Sequence, residues 1–266
     1  MLTRILLAKL QLVAVLSYFE RGGNIYDILP RLPRAMDEAY LWITNEITAD
    51  GPYVTELAKD VLSWIYYTNE IRTLHIEELQ DLLATKRHAR DVQPQDRPSV
   101  EQILAACHRL VICNKNTGIV RMTHRLIGVF LQKYKDAPNS FLHPIYVPAL
   151  TCLNYLFLDV FGRGKCLTME ELRTRREHYK AAEYVCQYWG YYVRQSEENP
   201  QVQADTIALL ASKPRRDAMN QINDYLRTNE LRDSGRRSLH IIAENGLATI
   251  CTIVMYNSYN TNNYNM

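Results

Sequence analysis

Few residues in this sequence could do chemistry, and their spacing narrows what each could do. Cys107-His108 followed by Cys113 comes nearest to a metal cluster, but a second ligand pair at zinc spacing is missing. The six cysteines, Cys107, Cys113, Cys152, Cys166, Cys186 and Cys251, contain no CxxC pair. They read as buried free thiols of a reducing compartment, with no metal. Glu77-Glu78 and Glu170-Glu171 are adjacent carboxylates on helical segments. Neighbours on a helix point in different directions, so neither pair can share acid–base work, and both read as solvated surface. No GxxxxGK[ST] phosphate cradle, GxSxG elbow or HExxH pair occurs, and no catalytic residue or cofactor is assigned. Basic clusters stand at Lys86-Arg87-His88-Ala89-Arg90, Arg173-Thr174-Arg175-Arg176, Lys213-Pro214-Arg215-Arg216 and Arg236-Arg237. Such clusters bind nucleic acid when they line one surface.

The elements that must position these residues are helical over most of the chain. Residues 1–19 carry Leu2, Ile5, Leu6, Lys9, Leu12, Val13 and Leu16 as a helix buried on most of its surface. An apolar helix at the very start implies further chain upstream. Lys9 and Gln11 interrupt the run and no small-x-small pattern follows it, so it reads neither as a signal peptide nor as a membrane span. After the break at Gly22-Gly23, helices are expected at 25–29, 35–48, 54–67 and 76–84, then a polar loop over 85–97. Ser99 and Gln102 have capping-box spacing and start a helix through Arg109. Two β-prone runs, 110–113 and 119–122, are joined by Asn114-Lys115-Asn116-Thr117-Gly118 as a hairpin, and a helix follows over 123–134. Helical patterns return through 148–158, at 169–189 as one helix or a pair, and at 206–212 and 217–227. Residues 256–266 are low in complexity and are expected to be a disordered tail.

The fold class is therefore mainly α: a helical lead-in, a winged helix with a small β-hairpin, a helical domain and one ankyrin-like helix pair. Three helices followed by a hairpin is the order of a winged helix, a helix-turn-helix variant. Its third helix offers only Gln102, His108 and Arg109 as polar base readers, and the wing adds Lys115 and Arg121. With 31 Lys plus Arg against 29 Asp plus Glu, the net charge of +2 lacks the excess that phosphate backbones or anionic membranes select. A winged helix packed inside a larger machine is favoured over the alternative, a DNA-binding winged helix protein. Over 233–255, Gly235, Leu239, His240, Ala243, Gly246, Ile250 and Val254 fall at ankyrin offsets. There Leu239, His240 and Gly246 form the turn and helix break, with His240 structural and not a ligand.

These pieces, in this order, resemble the region downstream of the NACHT nucleotide-binding domain in fungal STAND proteins, the NLR-like receptors. Leu6-Leu7-Ala8-Lys9-Leu10-Gln11-Leu12 is similar to the helix ending the family's ATPase module, and Leu29-Pro30 through Asp37-Glu38-Ala39-Tyr40 resembles its LP-x-x-L-D-E-x-Y segment. Val61-Leu62-Ser63-Trp64-Ile65 and Gly118 through His124 resemble the winged helix labelled after GPI inositol deacylases, a label that carries no esterase activity. Cys152-Leu153-Asn154-Tyr155-Leu156 and Tyr188-Trp189-Gly190 resemble the helical segment before the family's ankyrin array. The resemblance implies domains at 1–50, 51–135, 136–232 and 233–255, with the tail at 256–266. It implies a cytoplasmic signalling module for self/non-self recognition, with protein partners that include a NACHT ATPase domain, and no membrane or nucleic acid.

His124 gains a role only through that resemblance. In related ATPases, a Met-His-Asp motif at this place touches bound ADP. Here Arg125 replaces the Asp, and the nucleotide domain is absent from the sequence. A nucleotide-sensing role for His124 would act in trans or be vestigial. The alternative is that His124 caps the helix starting near Thr123 or packs beside the wing.

Overall fold

The computed structural model describes residues 2–20, 22–232 and 234–263. Among them are fifteen α-helices and one two-stranded hairpin, the mainly α class expected from the sequence. The chain divides into two compact units: 1–62, 101–112 and 121–142 form the first, and 63–100, 113–120 and 143–266 the second.

The first unit holds α1 (Leu2–Glu20), α2 (Ile25–Ile28), α3 (Met36–Ala49), the start of α4 (Pro52–Thr68), α6 (Val100–Ala106) and α7 (Arg125–Lys133). Its core is built from Ile28, Tyr40, Ile47, Val61, Ile103, Ile127 and Phe130. Tyr40 and Phe130 pack ring to ring at 5.3 Å. The expectation that α1 is buried on most of its surface is corrected here. Ile5 and Phe19 are each 61% exposed, and Leu12 and Leu16 are exposed with them. These positions repeat at near-heptad spacing, so the apolar side chains gather on one open face. The side chains of Leu2, Leu6, Lys9 and Val13 lie outside the described residues.

The helix expected through Arg109 ends at Ala106. A turn closes directly after it, with the Leu110 N–H donating to the Cys107 carbonyl at 2.8 Å. Both central residues, His108 and Arg109, sit at positive φ, 43° and 67°. That turn type prefers Asn and Gly, and a side chain there strains the backbone. Two bonds hold it: His108 Nε2 lies 2.6 Å from Asp50 Oδ2, and Thr123 Oγ1 donates to the Arg109 carbonyl at 2.7 Å. Periodicity alone does not reveal such a turn, because Cys107 and Leu110 fit the helical stripe equally well.

The hairpin strands are β1 (Val111–Cys113) and β2 (Val120–Met122). Leu74–Ile76 runs beside the tip: His75 bridges Ile119, and the Val120 N–H donates to the Leu74 carbonyl at 3.0 Å. Gly118 turns the hairpin at φ +66°, and a Cβ there would meet the His75 ring at 2.7 Å. The position therefore excludes any side chain. His75 also caps α5 (Ile76–Ala84) in a capping box with Glu78. Glu78 additionally takes both terminal nitrogens of Arg72, so the expectation of plain solvated surface fails at this residue.

The second unit adds α8 (Tyr146–Leu156), α9 (Asp159–Gly162), α10 (Met169–His178), α11 (Ala182–Arg194), α12 (Pro200–Ala211), α13 (Lys213–Thr228), α14 (Ser238–Asn245) and α15 (Ala248–Asn263). The 169–189 pattern thus resolves as two helices, and α12 and α13 extend well beyond 206–212 and 217–227. Asn199 starts α12, its Oδ1 accepting from the Gln201 and Val202 amides, with Pro200 in the first turn. α15 continues to Asn263, through most of the segment expected to be a tail.

At the centre of this unit lies Asp81, 0% exposed. Its carboxylate accepts from Arg97 Nε at 2.7 Å, Tyr155 Oη at 2.8 Å and the Ala181 N–H at 3.1 Å. One side chain thereby joins α5, the loop before α6, α8 and the start of α11. A buried carboxylate without such partners would be strongly unfavourable, so its three donors must assemble together. Burial first, and the Asp81 charge second, push the Tyr155 phenol far above its ordinary range. It stays protonated and remains a donor.

Asp81→Ala is expected to destabilise the chain by about 3–5 kcal/mol, because Tyr155 and Arg97 lose their buried acceptor. Urea unfolding measures this, and Asp81→Asn should cost less. Arg109→Gly is expected to stabilise by about 0.5–1 kcal/mol, the relief of left-handed strain less the added chain entropy of Gly. The same unfolding midpoint reads it.

Candidate functional site

The Tyr188-Trp189-Gly190 segment of α11 forms the seat for the last two helices. Trp189 is buried. A Cβ on Gly190 would come within 1.9 Å of Asn245 Oδ1 and 2.8 Å of its Cβ. Only glycine lets α14 lie this close against α11.

Polar bonds fix the helix pair further. The Ile250 N–H, in the first turn of α15, donates to Glu197 Oε1 at 3.1 Å. Asn220 Nδ2 donates to the Arg236 carbonyl at 3.0 Å, and Ser238 Oγ to the Leu210 carbonyl at 2.7 Å. Arg236 bridges two carboxylates, Asp224 and Glu244, each at 2.8 Å. Arg227 also reaches Glu244, at 2.6 Å. The Arg227 hydrogen bond, followed by Arg236, holds the Glu244 carboxyl below its usual range despite partial burial. Beside this network is a polar cavity of about 340 Å³, lined by Gln187, Asn223, Arg227, Glu244 and Asn245 among others. Asn223 Nδ2 donates to the Cys186 carbonyl at 3.0 Å.

Gly246 ends α14 at φ +65°. The Leu247 N–H reaches back to the Ile242 carbonyl at 3.0 Å, and Leu247 itself is buried. This is the glycine stop the sequence implies, with its accompanying apolar contact. Leu239 is 53% exposed, and His240 is exposed beside it.

His124 lies in the first unit, whereas Leu239, His240 and Gly246 lie in the second. His124 Nδ1 accepts from the Leu126 N–H at 3.2 Å and caps α7. The capping alternative is therefore the contact observed.

Of the base readers named from the sequence, Gln102 is on α6, while His108 and Arg109 sit in the strained turn. The basic clusters are largely committed to internal bonds. Lys86 pairs with Asp96 at 2.9 Å. Arg175 donates to the Gly164 carbonyl at 2.8 Å. Arg176 pairs with Glu183 and lies over the Tyr225 ring at 4.5 Å. Arg215 donates to the Leu156 and Leu158 carbonyls at 3.0 and 2.8 Å. These partners lie seven or more residues away, beyond the i, i+3 and i, i+4 spacings that helical patterns report, and those of Arg215 lie more than fifty away.

Cys107, Cys152, Cys166 and Cys186 are buried free thiols. Burial pushes the Cys107 thiol up to about 12, so it stays protonated. Among the described residues, no group of three or more His, Cys, Asp or Glu side chains gathers as metal ligands. No helix among the described residues is long and apolar enough to cross a membrane. No protein family, curated protein or solved structure matches this chain.

His124→Ala should cost about 1 kcal/mol, and His124→Asn should restore most of it, since Asn also accepts from the first-turn amides. Thermal unfolding of the two variants separates capping from any ligand role. The lowered pKa of Glu244 carries a sign. Its stabilisation is present above the unfolded carboxylate range and is lost as pH falls through the folded value. Amide exchange in α14 should therefore accelerate in that acid window. The effect should shrink in high salt, because Glu244 is partly exposed.

Proposed function

We propose that the chain is a non-catalytic interaction and signalling module of a NACHT-type STAND receptor. In this reading, the winged helix segment couples the nucleotide state of an ATPase domain to a sensor that begins with the α14–α15 pair.

The path of the chain carries the reading. It passes between the two compact units at 62/63, 100/101, 112/113, 120/121 and 142/143, every time within the segment 51–135 or just beyond it. α4 and the hairpin each run from one unit into the other without interruption. Continuous helix and strand of this kind is what the proposed coupling would use, since a two-state device needs elements that move as units. At the far end, the helix–glycine–helix unit is held by Gly190 and the Arg236 bridges. It exposes Leu239 on α14 and Met255 and Tyr256 on α15, apolar side chains open to protein contact. The DNA-binding alternative draws little from α6, which ends before His108 and Arg109.

The test is binding in trans. Purified chain is titrated with a NACHT ATPase domain of the family, loaded with ADP or with a non-hydrolysable ATP analogue. The expected result is an affinity that differs at least about tenfold between the two states, equivalent to roughly 1.4 kcal/mol of coupling. Equal affinity in both states, or no binding in either, overturns the proposal.

A further inference from the structure

Three helices of the second unit, α11, α13 and α14, line the polar cavity of about 340 Å³ described above. Its size falls within the range of small-molecule sites. The α13 wall holds polar groups left without partners. Asn220 is 1% exposed and lines the cavity. Its Nδ2 donates to the Arg236 carbonyl at 3.0 Å, and its Oδ1 has no donor among the described residues. Asn223, one turn along the same wall, repeats the pattern. Its Nδ2 donates to the Cys186 carbonyl at 3.0 Å, and its buried Oδ1 has no donor. A backbone carbonyl only accepts, so each amide must turn its nitrogen toward that carbonyl and its oxygen away from it. Two buried acceptors without donors are costly to keep. A ligand that brings the donors accounts for them.

The charges around these oxygens are already balanced. Arg236 pairs with Asp224 and Glu244, and Arg227 pairs with Glu244. An ion meets no unmatched charge here, so the cavity suits an uncharged ligand. The free groups at the rim include donors. Arg227 uses only Nη2 on Glu244, which leaves Nε and Nη1 without acceptors among the described residues. Gln187 also lines the cavity; its side chain is exposed and makes no bond among the described residues. A fitting ligand therefore donates to the asparagine wall and accepts at the rim. Hydroxyl groups do both from one atom and rotate to suit each partner. A wall made largely of amides and ion pairs disfavours an apolar ligand, which would leave those groups dry and unpaired.

We propose that this cavity binds a small uncharged polyol, of the size of one sugar ring. Its hydroxyls donate to the Asn220 and Asn223 amide oxygens and accept from Arg227 and Gln187. The site goes beyond the coupling function proposed above: it rests on α11, α13 and α14 and requires no ATPase partner.

The experiment uses the full chain and three probes, D-glucose, myo-inositol and acetamide. Binding is read by saturation-transfer NMR and calorimetry, because polyols raise melting temperatures without occupying a site. At least one of the two polyols is expected to saturate one site per chain, and acetamide is not. Gln187→Trp should block the mouth and abolish binding. Gln187 makes no internal bond among the described residues, so the urea unfolding midpoint should stay in place. Asn220→Leu should weaken binding about tenfold or more, the loss of a hydrogen bond to a buried acceptor. Absence of saturable binding by both polyols, or binding untouched by Gln187→Trp or by Asn220→Leu, overturns the proposal. Saturable binding of acetamide without either polyol overturns it too, in favour of an amide ligand.

Discussion

The Asp81 carboxylate is the constraint around which the larger unit is arranged. A fully buried anion is tolerated only when its donors are fixed in place, and here they come from Arg97, Tyr155 and the Ala181 amide. Those donors fix the positions of α8 and α11 relative to α5. α11 in turn carries Trp64's aromatic partners, Tyr184 and Tyr192, whose rings lie 6.5 and 5.6 Å from the indole. The same helix presents Gly190, the close-approach point for α14. The position of the last two helices thus traces back, through α11, to one ionised side chain.

The proposed function draws its support from chain path and exposed side chains. Buried polar networks of this kind favour one arrangement over near alternatives. A module that relays a state needs elements that shift as units. In the proposed reading, α4 and the hairpin supply that continuity of chain, and the helix pair docked on α11 supplies the sensor end.

Much of the fold was legible in the sequence where local rules decide it. Leu79, Leu82 and Leu83 place α5 within the bounds observed, the Asn114–Gly118 loop marks the hairpin, and Gly246 marks the stop of α14. His124 as a helix cap was legible as an alternative from its place before the helix start. Long-range pairings were hidden. The Leu74–Ile76 segment joins the hairpin only because the fold brings it there, and the carbonyl partners of Arg215, Leu156 and Leu158, are distant in sequence. The exposed face of α1 escaped for a different reason: apolar periodicity reports which residues could be buried and not whether anything covers them.

Amide hydrogen exchange on the full chain tests the central claim most directly, because docking of α14–α15 on α11 underlies the proposed sensor end. Protection in α14 and the first turns of α15 should match that of α11, and Gly190→Val should abolish it there while sparing α8 and α11. Exchange of α14 and α15 at unprotected rates in the unmodified chain, with α8 and α11 protected, would contradict the account.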